Sequence, residues 1–385
     1  MIPYGRQDIN QDDIDAVVEV LKSDFLTQGP KVPEFESKVA EYCGVKYGVA
    51  VNSATSALHI ACMALDIGSG DIVWTSPISF VASANCVLYC GGTIDFVDID
   101  PDTFNISVDR LEEKLTQAEI DGQLPKAIIP VHIAGQSCDM KPIKALSDKY
   151  GFKIIEDASH AIGGSYHGHK VGSCNYSDMT VFSFHPVKII TAVEGGMVMT
   201  NNEEYLDKLR LYRAHGITSD SKFMTKEPDG PWYYEQITLG YNYRMSDIQA
   251  ALGISQLERI DQFVSNRRDI AANYNHQLEV TSLKLPTIIE ETESSWHLYI
   301  VSLTGKDISR HKTIFTQLRQ KGIGVQLHYI PIFSQPYYKN SYKDNNDLMS
   351  SQSYYKSSLS LPIHMNLNIV EQNLVIENLS DLLSN

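Results

Sequence analysis

The chain has 385 residues, of which 43% are hydrophobic, and a formal net charge of -15 at pH 7. This length exceeds what a single hydrophobic core usually occupies, so we expect one large domain and one smaller domain. The acidic balance argues against a nucleic-acid partner, because phosphate binding requires clustered Lys and Arg.

The first residues, MIPYGRQDINQDD, contain neither a basic stretch nor an apolar run, and no later apolar run is long enough to span a membrane. We therefore expect a cytoplasmic protein with no membrane segment. The six cysteines form no Cys-x-x-Cys pair. This pattern predicts reduced thiols in the core and no metal site.

Short β-rich runs alternate with helical runs from about residue 46 onward. In chain order they are YGVAVNS and ATSALHIACMAL, DIVWTS and FVASANCVLYCG, TIDFVDI and VDRLEEKL, KAIIPVHI and IKALSDKYG, then KIIEDAS, MTVFSF and GGMVMT. Apolar strands separated by helices are typical of a mostly parallel sheet that is covered by helices on both faces. We therefore assign residues 1–250 to a large α/β domain.

The remaining residues, 251–385, predict a smaller C-terminal α+β domain. A long helical stretch at 246–278 would carry the chain out of the large domain. After it, WHLYIVSL and GVQLHYI indicate strands, and RHKTIFTQLRQKG and VEQNLVIENLSDLL indicate helices. The polar segment NSYKDNNDLMSSQSYYKSS predicts a surface loop.

Residues that follow the strands are the first candidates for a site, because ligands of parallel α/β sheets bind beyond the carboxyl ends of the strands. Ala54 and Thr55 open a helix after the first strand. Their free amides would suit a phosphate, although an ordinary N-cap is the commoner explanation. Phe80 follows the second strand. It offers a flat surface for a planar ring, or it fills the core.

Two charged residues follow strands near the centre of the sheet. Asp157 emerges from KIIE, where an unpaired charge is costly, so it needs a cation from a ligand or from a nearby Arg or Lys. Lys188 follows MTVFSF, five residues after Ser183. A lysine for a Schiff base, an aspartate for the ring nitrogen, a phosphate cup and a stacking side chain are what pyridoxal 5'-phosphate (PLP) requires. The sequence therefore predicts PLP as cofactor.

Four motifs in combination resemble a known family. They are NSATSAL at 52–58, EDASHA at 156–161, SFHPVK at 183–188 and EGG at 194–196. Together they are similar to the sugar-nucleotide aminotransferases of the DegT/DnrJ/EryC1/StrS family, which are fold type I PLP-dependent transferases. The resemblance implies a homodimer with shared active sites. It also implies that a UDP-linked 4-keto-6-deoxy-N-acetylhexosamine, or another UDP- or dTDP-4-keto sugar, receives an amino group from L-glutamate.

The resemblance also implies roles for individual residues. Lys188 would bind the cofactor covalently, Asp157 would contact the pyridine nitrogen, His160 the ring hydroxyl, and Phe80 would stack on the ring. The cofactor phosphate would be held by Ala54, Thr55, Ser183 and, from the neighbouring subunit, Asn242. The sugar nucleotide would face Tyr4, Leu26, Thr27, His328 and Tyr329, so that residues 1–30 contribute to the substrate site.

One residue departs from the family pattern. Val193 stands directly before the Glu-Gly-Gly, where many relatives have glycine. Because a β-branched residue disfavours positive φ, we expect the turn after Lys188 to run differently in this chain.

Two other functions remain as alternatives. Some relatives have histidine in place of the lysine and catalyse dehydration, but Lys188 argues against that reaction here. A non-catalytic DNA-binding regulator would carry a basic recognition helix, and none is visible in the sequence.

Overall fold

The computed structural model describes residues 1–339 and 347–384. The strands are, in chain order, β1 (Tyr47–Val51), β2 (Ile72–Thr75), β3 (Thr93–Phe96), β4 (Ala127–Ile129), β5 (Lys153–Asp157), β6 (Ser165–Tyr166), β7 (His169–Lys170), β8 (Met179–Ser183), β9 (Gly196–Thr200), β10 (Ile217–Thr218), β11 (Glu235–Gln236), β12 (Thr292–Glu293), β13 (Tyr299–Ser302) and β14 (Ser358–Leu361). The helices are α1 (Gln11–Leu21), α2 (Lys31–Cys43), α3 (Ala54–Ala64), α4 (Ala82–Tyr89), α5 (Val108–Asp121), α6 (Met140–Tyr150), α7 (Glu203–Arg213), α8 (Asp247–Leu257), α9 (Ile260–Leu278), α10 (His311–Gln320), α11 (Pro336–Lys339), α12 (Met349–Ser357) and α13 (Ile369–Ser384).

A seven-stranded sheet with the order β1-β9-β8-β5-β4-β2-β3 forms the centre of the molecule. The pairings from β8 through β5, β4 and β2 to β3 are parallel. In this sheet β9 alone runs the other way, because it pairs antiparallel with both β1 and β8. The predicted α/β class with a mostly parallel sheet is confirmed.

Alternate residues of the strands pack on opposite faces of this sheet, as the two-residue period of a strand requires. Val181 of β8 lies in a cluster with α3, α4 and α7, whereas its neighbour Phe182 lies in a second cluster with α2 and α8. Farther along, Ile154 of β5 packs with α5 and α6, and Ile155 joins the first cluster. Burial on both faces explains why these strands are apolar throughout.

Helix α9 connects the sheet to the C-terminal part of the chain. Its first half, including Phe263 and Val264, packs beside the sheet, and its second half, including Tyr274 and Leu278, packs in a C-terminal cluster. This cluster is built from β13, β14, α10 and α13, and it also contains Ile2. The division of the chain at residue 250 stays a prediction.

The helical stretch predicted at 246–278 is broken into α8 and α9. Arg259, between the two helices, has φ -109° and ψ 6°. Its guanidinium donates to Asp8 at 2.7 Å and to Asp13 at 2.5 Å. Asp13 is buried in α1, so the break places Arg259 where it neutralises that charge.

The strand predicted for GVQLHYI is absent. Two isolated bridges stand in its place, Ile323 with Ile2 and Gln326 with Ser360. Gly324 contacts the N-terminal segment so closely that a Cβ there would lie 2.7 Å from the Ile2 carbonyl oxygen. Residues 323–326 thus pair once with the N-terminal segment and once with β14, and neither pairing is long enough to form a strand.

The surface loop predicted for NSYKDNNDLMSSQSYYKSS is wrong in its second half, and residues 340–346 lie outside the described part. Residues 349–357 form α12, and Tyr354 of this helix is buried. The amides of Ser350 and Ser351, near the start of the helix, donate to the buried Asp98 carboxylate at 2.8 and 3.0 Å. A carboxylate at a helix N-terminus stabilises it, and this partner is distant in sequence. Across residues 1–339 and 347–384, no helix is long and apolar enough to cross a membrane.

Candidate active site

A cavity of about 410 Å³ opens beyond the carboxyl ends of the parallel strands. Ten predicted site residues line it, namely Tyr4, Ala54, Thr55, Phe80, Asp157, His160, Ser183, Lys188, His328 and Tyr329. They come from separate βα connections, the N-terminal segment and the C-terminal part. The sheet topology therefore gathers groups that are far apart in sequence.

Lys188 lies in the connection between β8 and β9. Its backbone amide donates to the His185 carbonyl at 2.9 Å, and the next residues, Ile189 and Ile190, are buried beneath the turn. Burial lowers the pKa of Lys188 to about 8, although the nearby Asp157 acts in the opposite direction. About a tenth of the amine is therefore neutral at pH 7 and able to act as a nucleophile, far more than at the usual pKa of a lysine.

Asp157, at the end of β5, is 4% exposed and is held by neutral donors. Its Oδ1 accepts the Ser159 amide at 3.1 Å and the Ser159 hydroxyl at 2.6 Å, and its Oδ2 accepts the Ser83 hydroxyl at 2.6 Å. Among the described residues, no Lys, Arg or His nitrogen lies within 4.0 Å of this carboxylate. In this part of the chain Asp157 therefore forms no ordinary ion pair, which leaves its charge available to a cationic group of a ligand.

The start of α3 forms a cup of backbone amides. The Ser53 hydroxyl caps the helix by accepting the Ser56 amide at 3.1 Å, which leaves the amides of Ala54 and Thr55 at the open first turn. Gly196 of β9 packs against this turn, and a Cβ there would lie 2.6 Å from the Ala54 nitrogen. The capping alternative and the phosphate prediction are compatible, because the cap uses the Ser56 amide and leaves those of Ala54 and Thr55 for a phosphate.

Two aromatic side chains face each other across the cavity. Phe80 is 59% exposed, so its alternative role in the core is wrong. Its ring centroid lies 6.3 Å from that of Tyr329. The Tyr329 hydroxyl is in turn 3.1 Å from Nε2 of His160, whose Nδ1 is buried without a partner among the described residues. Burial first, and then the charge of Lys188, hold the pKa of His160 well below its usual value.

Three predicted site residues do not line the cavity. Leu26 is 48% exposed, and Thr27 pairs through its backbone with Ser246. Asn242 is exposed and pairs through its backbone with Ala214. Their roles toward sugar or phosphate stay predictions.

The donors to Asp157 are the functional residues that sequence reasoning missed. Ser83 is the second residue of α4, and Ser79, in the turn before the helix, has its Oγ 2.6 Å from the Ser83 Oγ. The four-residue spacing of the two serines across the start of α4, which brings their hydroxyls together, is the signal that could have found them. Neither serine directly follows a strand, so attention to strand ends alone does not find them.

The residues present fit PLP. Ala54 and Thr55 offer amides to a phosphate, Phe80 offers an open face to a planar ring, and Asp157 lacks a cation. The unpaired Nδ1 of His160 is a further polar atom without a protein partner. In this arrangement the Lys188 amine would be the nucleophile and Asp157 would hold a protonated ring nitrogen; both roles stay predictions.

Comparison with known proteins decides the family. The model of the DegT/DnrJ/EryC1/StrS aminotransferase family matches residues 7–380. The chain belongs to this family. Because the family is one of aminotransferases, the chain is an enzyme, and neither the regulator nor the dehydration alternative is kept.

Several relatives match the whole chain. A Campylobacter jejuni (strain 81-176) UDP-4-amino-4,6-dideoxy-N-acetyl-beta-L-altrosamine transaminase is 40% identical over 384 residues, 100% of this chain and 98% of its own length. The Bacillus subtilis spore coat polysaccharide biosynthesis protein SpsC is 38% identical, with 99% of this chain and 97% of its own length covered.

Solved structures of the family share the fold. Helicobacter pylori PseC, described as an aminotransferase involved in pseudoaminic acid biosynthesis, superposes with a TM-score of 0.91 at 32% identity, over 100% of this chain and 99% of its own. Spr1654 of Streptococcus pneumoniae in its PMP-form has the same TM-score at 30% identity and the same coverage, and it is also known in a PLP-form. Fold type I and PLP, both predicted from the sequence, are confirmed.

Val193 adopts the conformation that its side-chain type disfavours. Its φ is 64°, in the left-handed region that glycine favours, and its side chain is 59% exposed. The Val193 amide donates to the Thr191 hydroxyl at 3.0 Å, and the Glu194 amide donates to the Ala192 carbonyl at 2.8 Å. These two bonds hold Val193 at a positive φ that its side chain disfavours, and the expected difference from the turn of relatives stays a prediction.

Replacing Lys188 by alanine should lower turnover by more than about 10⁴-fold, because one amine serves as nucleophile and as proton carrier. The measurement is the rate of amino transfer at saturating PLP. Lys306→Ala is the matched control, since Lys306 is exposed and outside the cavity. Wild-type turnover in the Lys188 variant would rule out this role.

Replacing Val193 by glycine should raise the free energy of unfolding by about 1 kcal/mol, because glycine adopts a positive φ without the steric cost of a Cβ. Chemical denaturation measures the change. Val280→Gly is the control: this valine is 91% exposed and has no positive φ, so glycine there should destabilise. Destabilisation by Val193→Gly would show that the turn is unstrained.

Proposed function

We propose that this enzyme aminates C4 of UDP-2-acetamido-2,6-dideoxy-β-L-arabino-hex-4-ulose, with L-glutamate as donor, in pseudaminic acid biosynthesis. The observation that carries the proposal is the match to two Campylobacter jejuni transaminases named for the UDP-4-amino-altrosamine product, at 40% and 39% identity over the whole chain. The similarity to PseC supports the same substrate class.

The residues of the cavity divide the chemical work. When bound, PLP carries the amino group and withdraws electrons from the reacting carbon. Lys188, with its pKa lowered to about 8 by burial, accepts and returns the proton at that carbon. Asp157 would hold the ring nitrogen, and Phe80 would limit the position of the ring. The chain thus supplies position and proton transfer, and the cofactor supplies the electron sink.

The substrate side of the cavity suits a neutral, hydroxyl-rich acceptor. Tyr4 and His328 lie with ring centroids 5.0 Å apart, and Tyr329 adjoins His328 at 5.1 Å. Burial, with a smaller contribution from the charge of Lys188, lowers the pKa of His328 to about 3, so its imidazole is neutral. Such groups hydrogen-bond hydroxyls and an N-acetyl group without requiring a charge.

No arginine lines the described cavity, whereas an amino-acid acceptor would be gripped by one through its α-carboxylate. Arg310 and Arg319, two arginines of the C-terminal part, bind other groups. Arg310 pairs with Asp307 at 2.7 Å, and Arg319 donates to the Val325 carbonyl at 3.3 Å. The L-glutamate donor carries the same α-carboxylate, so this distribution does not by itself separate a sugar acceptor from an amino-acid acceptor.

A second candidate is amination of another UDP- or dTDP-linked 4-keto-6-deoxy sugar. SpsC, which is named for spore coat polysaccharide synthesis, is 38% identical to this chain over nearly its full length. A difference between 40% and 38% does not separate two acceptors, so the sugar has to be determined by assay.

We also propose a homodimer with composite sites. Asn242 is exposed, and its backbone lies beside the phosphate cup, because the Asn52 amide donates to the Tyr243 carbonyl at 2.8 Å. Several large apolar residues are exposed: Phe25 (54%), Leu26 (48%), Trp232 (76%) and Leu239 (71%). A two-fold axis beside the cup would bring Asn242 of the partner subunit to the phosphate and cover part of this apolar surface.

A cytoplasmic location belongs to the same proposal. All six cysteines are free thiols, and five of them are buried. Unpaired thiols throughout are typical of a reducing compartment.

The substrate proposal predicts turnover of one of two epimers. Incubation with L-glutamate, PLP and either the β-L-arabino or the D-xylo UDP-4-keto sugar should yield a 4-amino sugar from the L-arabino ketone alone, as identified by NMR. The control is Lys188→Ala with the same ketone. Exclusive turnover of the D-xylo ketone would overturn the assignment of the sugar but not that of the reaction.

The dimer proposal predicts complementation between two inactive variants. Mixing Lys188→Ala with Asn242→Ala subunits should restore up to about a quarter of wild-type activity, because half of the dimers are mixed and each mixed dimer has one intact site. Each variant incubated alone is the control. Absence of activity after subunit exchange, verified with two affinity tags, would refute a shared site.

A further inference from the structure

We propose that Ser83 and Ser79 are positioning residues that orient the Asp157 carboxylate toward the pyridine nitrogen of the cofactor and keep the shared proton on that nitrogen. The proposal rests on PLP as cofactor and on the assignment of Asp157 to its ring nitrogen. It does not depend on the identity of the sugar.

The hydrogen-bond distances show which group each of the two serine hydroxyls donates to. Ser83 Oγ lies 2.6 Å from Asp157 Oδ2 and 3.3 Å from the Phe80 carbonyl oxygen. A hydroxyl has one proton, and the shorter bond to a charged acceptor is the stronger one, so Ser83 donates to Asp157. Ser79 Oγ, 2.6 Å from Ser83 Oγ, then donates to Ser83. The result is a chain of donors that runs from Ser79 through Ser83 to Asp157.

The carboxylate has one acceptor position left for the cavity. A carboxylate accepts about four hydrogen bonds, two on each oxygen. Ser159 fills both positions of Oδ1 with its amide and its hydroxyl, and Ser83 fills one position of Oδ2. Because Asp157 lines the cavity, the remaining position on Oδ2 is available to one donor from the ligand.

The donors decide where the shared proton rests. Hydrogen bonds to a carboxylate favour its charged form, so they hold the proton on the ring nitrogen and preserve the positive charge of the ring. Loss of the Ser83 hydroxyl would move the proton of the N–H···O contact toward the carboxyl oxygen and leave both partners neutral. Ser83 and Ser79 are 0% and 3% exposed, so solvent does not readily replace their hydroxyls.

The two serines lie on either side of Phe80 in sequence, so the chain of hydroxyl donors is coupled to the residue predicted to stack on the cofactor ring. Phe80 lies between Ser79 and Ser83, and the Ser83 amide donates to the Phe80 carbonyl at 3.3 Å. One short segment therefore supplies both the surface under the ring and the donor that fixes the ring partner. This arrangement explains why two buried serines flank the start of α4, Ser79 in the preceding turn and Ser83 in the first turn of the helix.

The test compares PLP with its analogue 1-deaza-PLP, in which a C–H replaces the ring nitrogen. We would measure the dissociation constant of each compound for the apo forms of wild type, Ser83→Ala and Ser79→Ala, together with the absorption spectrum of the bound state. Ser83→Ala should bind PLP about tenfold more weakly, as expected for loss of a hydrogen bond to a charged group, and should show a changed spectrum. Ser79→Ala should show the same changes with smaller size.

The affinity of both variants for 1-deaza-PLP should equal that of wild type, because the analogue offers no proton to Asp157. Ser147→Ala is the matched control: Ser147 is a buried helical serine whose hydroxyl donates to the Phe152 carbonyl at 2.6 Å. It should lower the melting temperature without altering either affinity. Ser83→Thr, which keeps the hydroxyl, should restore PLP binding.

Equal losses of affinity for PLP and 1-deaza-PLP in Ser83→Ala would overturn the proposal and leave Ser83 a structural residue. If Ser83→Ala does not fold, Ser79→Ala decides by the same comparison. Wild-type protein that binds both compounds equally would instead contradict the role of Asp157. No sugar enters these measurements, so failure of the substrate proposal leaves their outcome unchanged.

Discussion

The site depends on one buried carboxylate, that of Asp157, which has no Lys, Arg or His nitrogen within 4.0 Å in residues 1–339 and 347–384. Asp157 is held by the neutral donors of Ser83 and Ser159, and the Lys188 amine, the nearest relevant cation, has a pKa lowered to about 8 by burial. An arginine paired with Asp157 would neutralise the carboxylate, but it would occupy the position that a protonated ring nitrogen needs. The unfilled requirement of Asp157 is thus what makes the cavity a cofactor site.

The other face of β5 keeps this carboxylate in place. Glu156 points away from the cavity and accepts His132 Nε2 at 2.6 Å, while His132 Nδ1 accepts the Cys138 amide at 3.0 Å. Burial acts to raise the pKa of Glu156, but the bonds from His132 and its other donors outweigh it, so the pKa is lowered. The His132 amide donates to the Asp157 carbonyl at 3.0 Å. The end of β5 is therefore held by two bonds to His132, one from the Glu156 side chain and one from the Asp157 backbone.

The sequence predicts those parts of the fold and site that follow from position along a strand. Lys188 and Asp157 lie at the carboxyl ends of adjacent parallel strands, so the alternation of strands and helices was enough to bring them together. Ser83 was missed because it reaches Asp157 from inside a helix. Helix α12 was missed because its first turn is stabilised by Asp98, whose distance in sequence no local pattern reveals.

The two halves of the cavity are carried by different parts of the chain. The cofactor half, with Asp157 and Lys188, stands on the sheet, whereas His328 and Tyr329 come from the C-terminal part. Tyr4 belongs with the latter, because its carbonyl accepts the Ile363 amide at 3.0 Å and the nearby Ile2 packs in the C-terminal cluster. Substitutions in that cluster can therefore alter the acceptor side while the hydrogen bonds of Asp157 stay intact. Such a division would let the acceptor side of the cavity change in evolution while the cofactor side is retained.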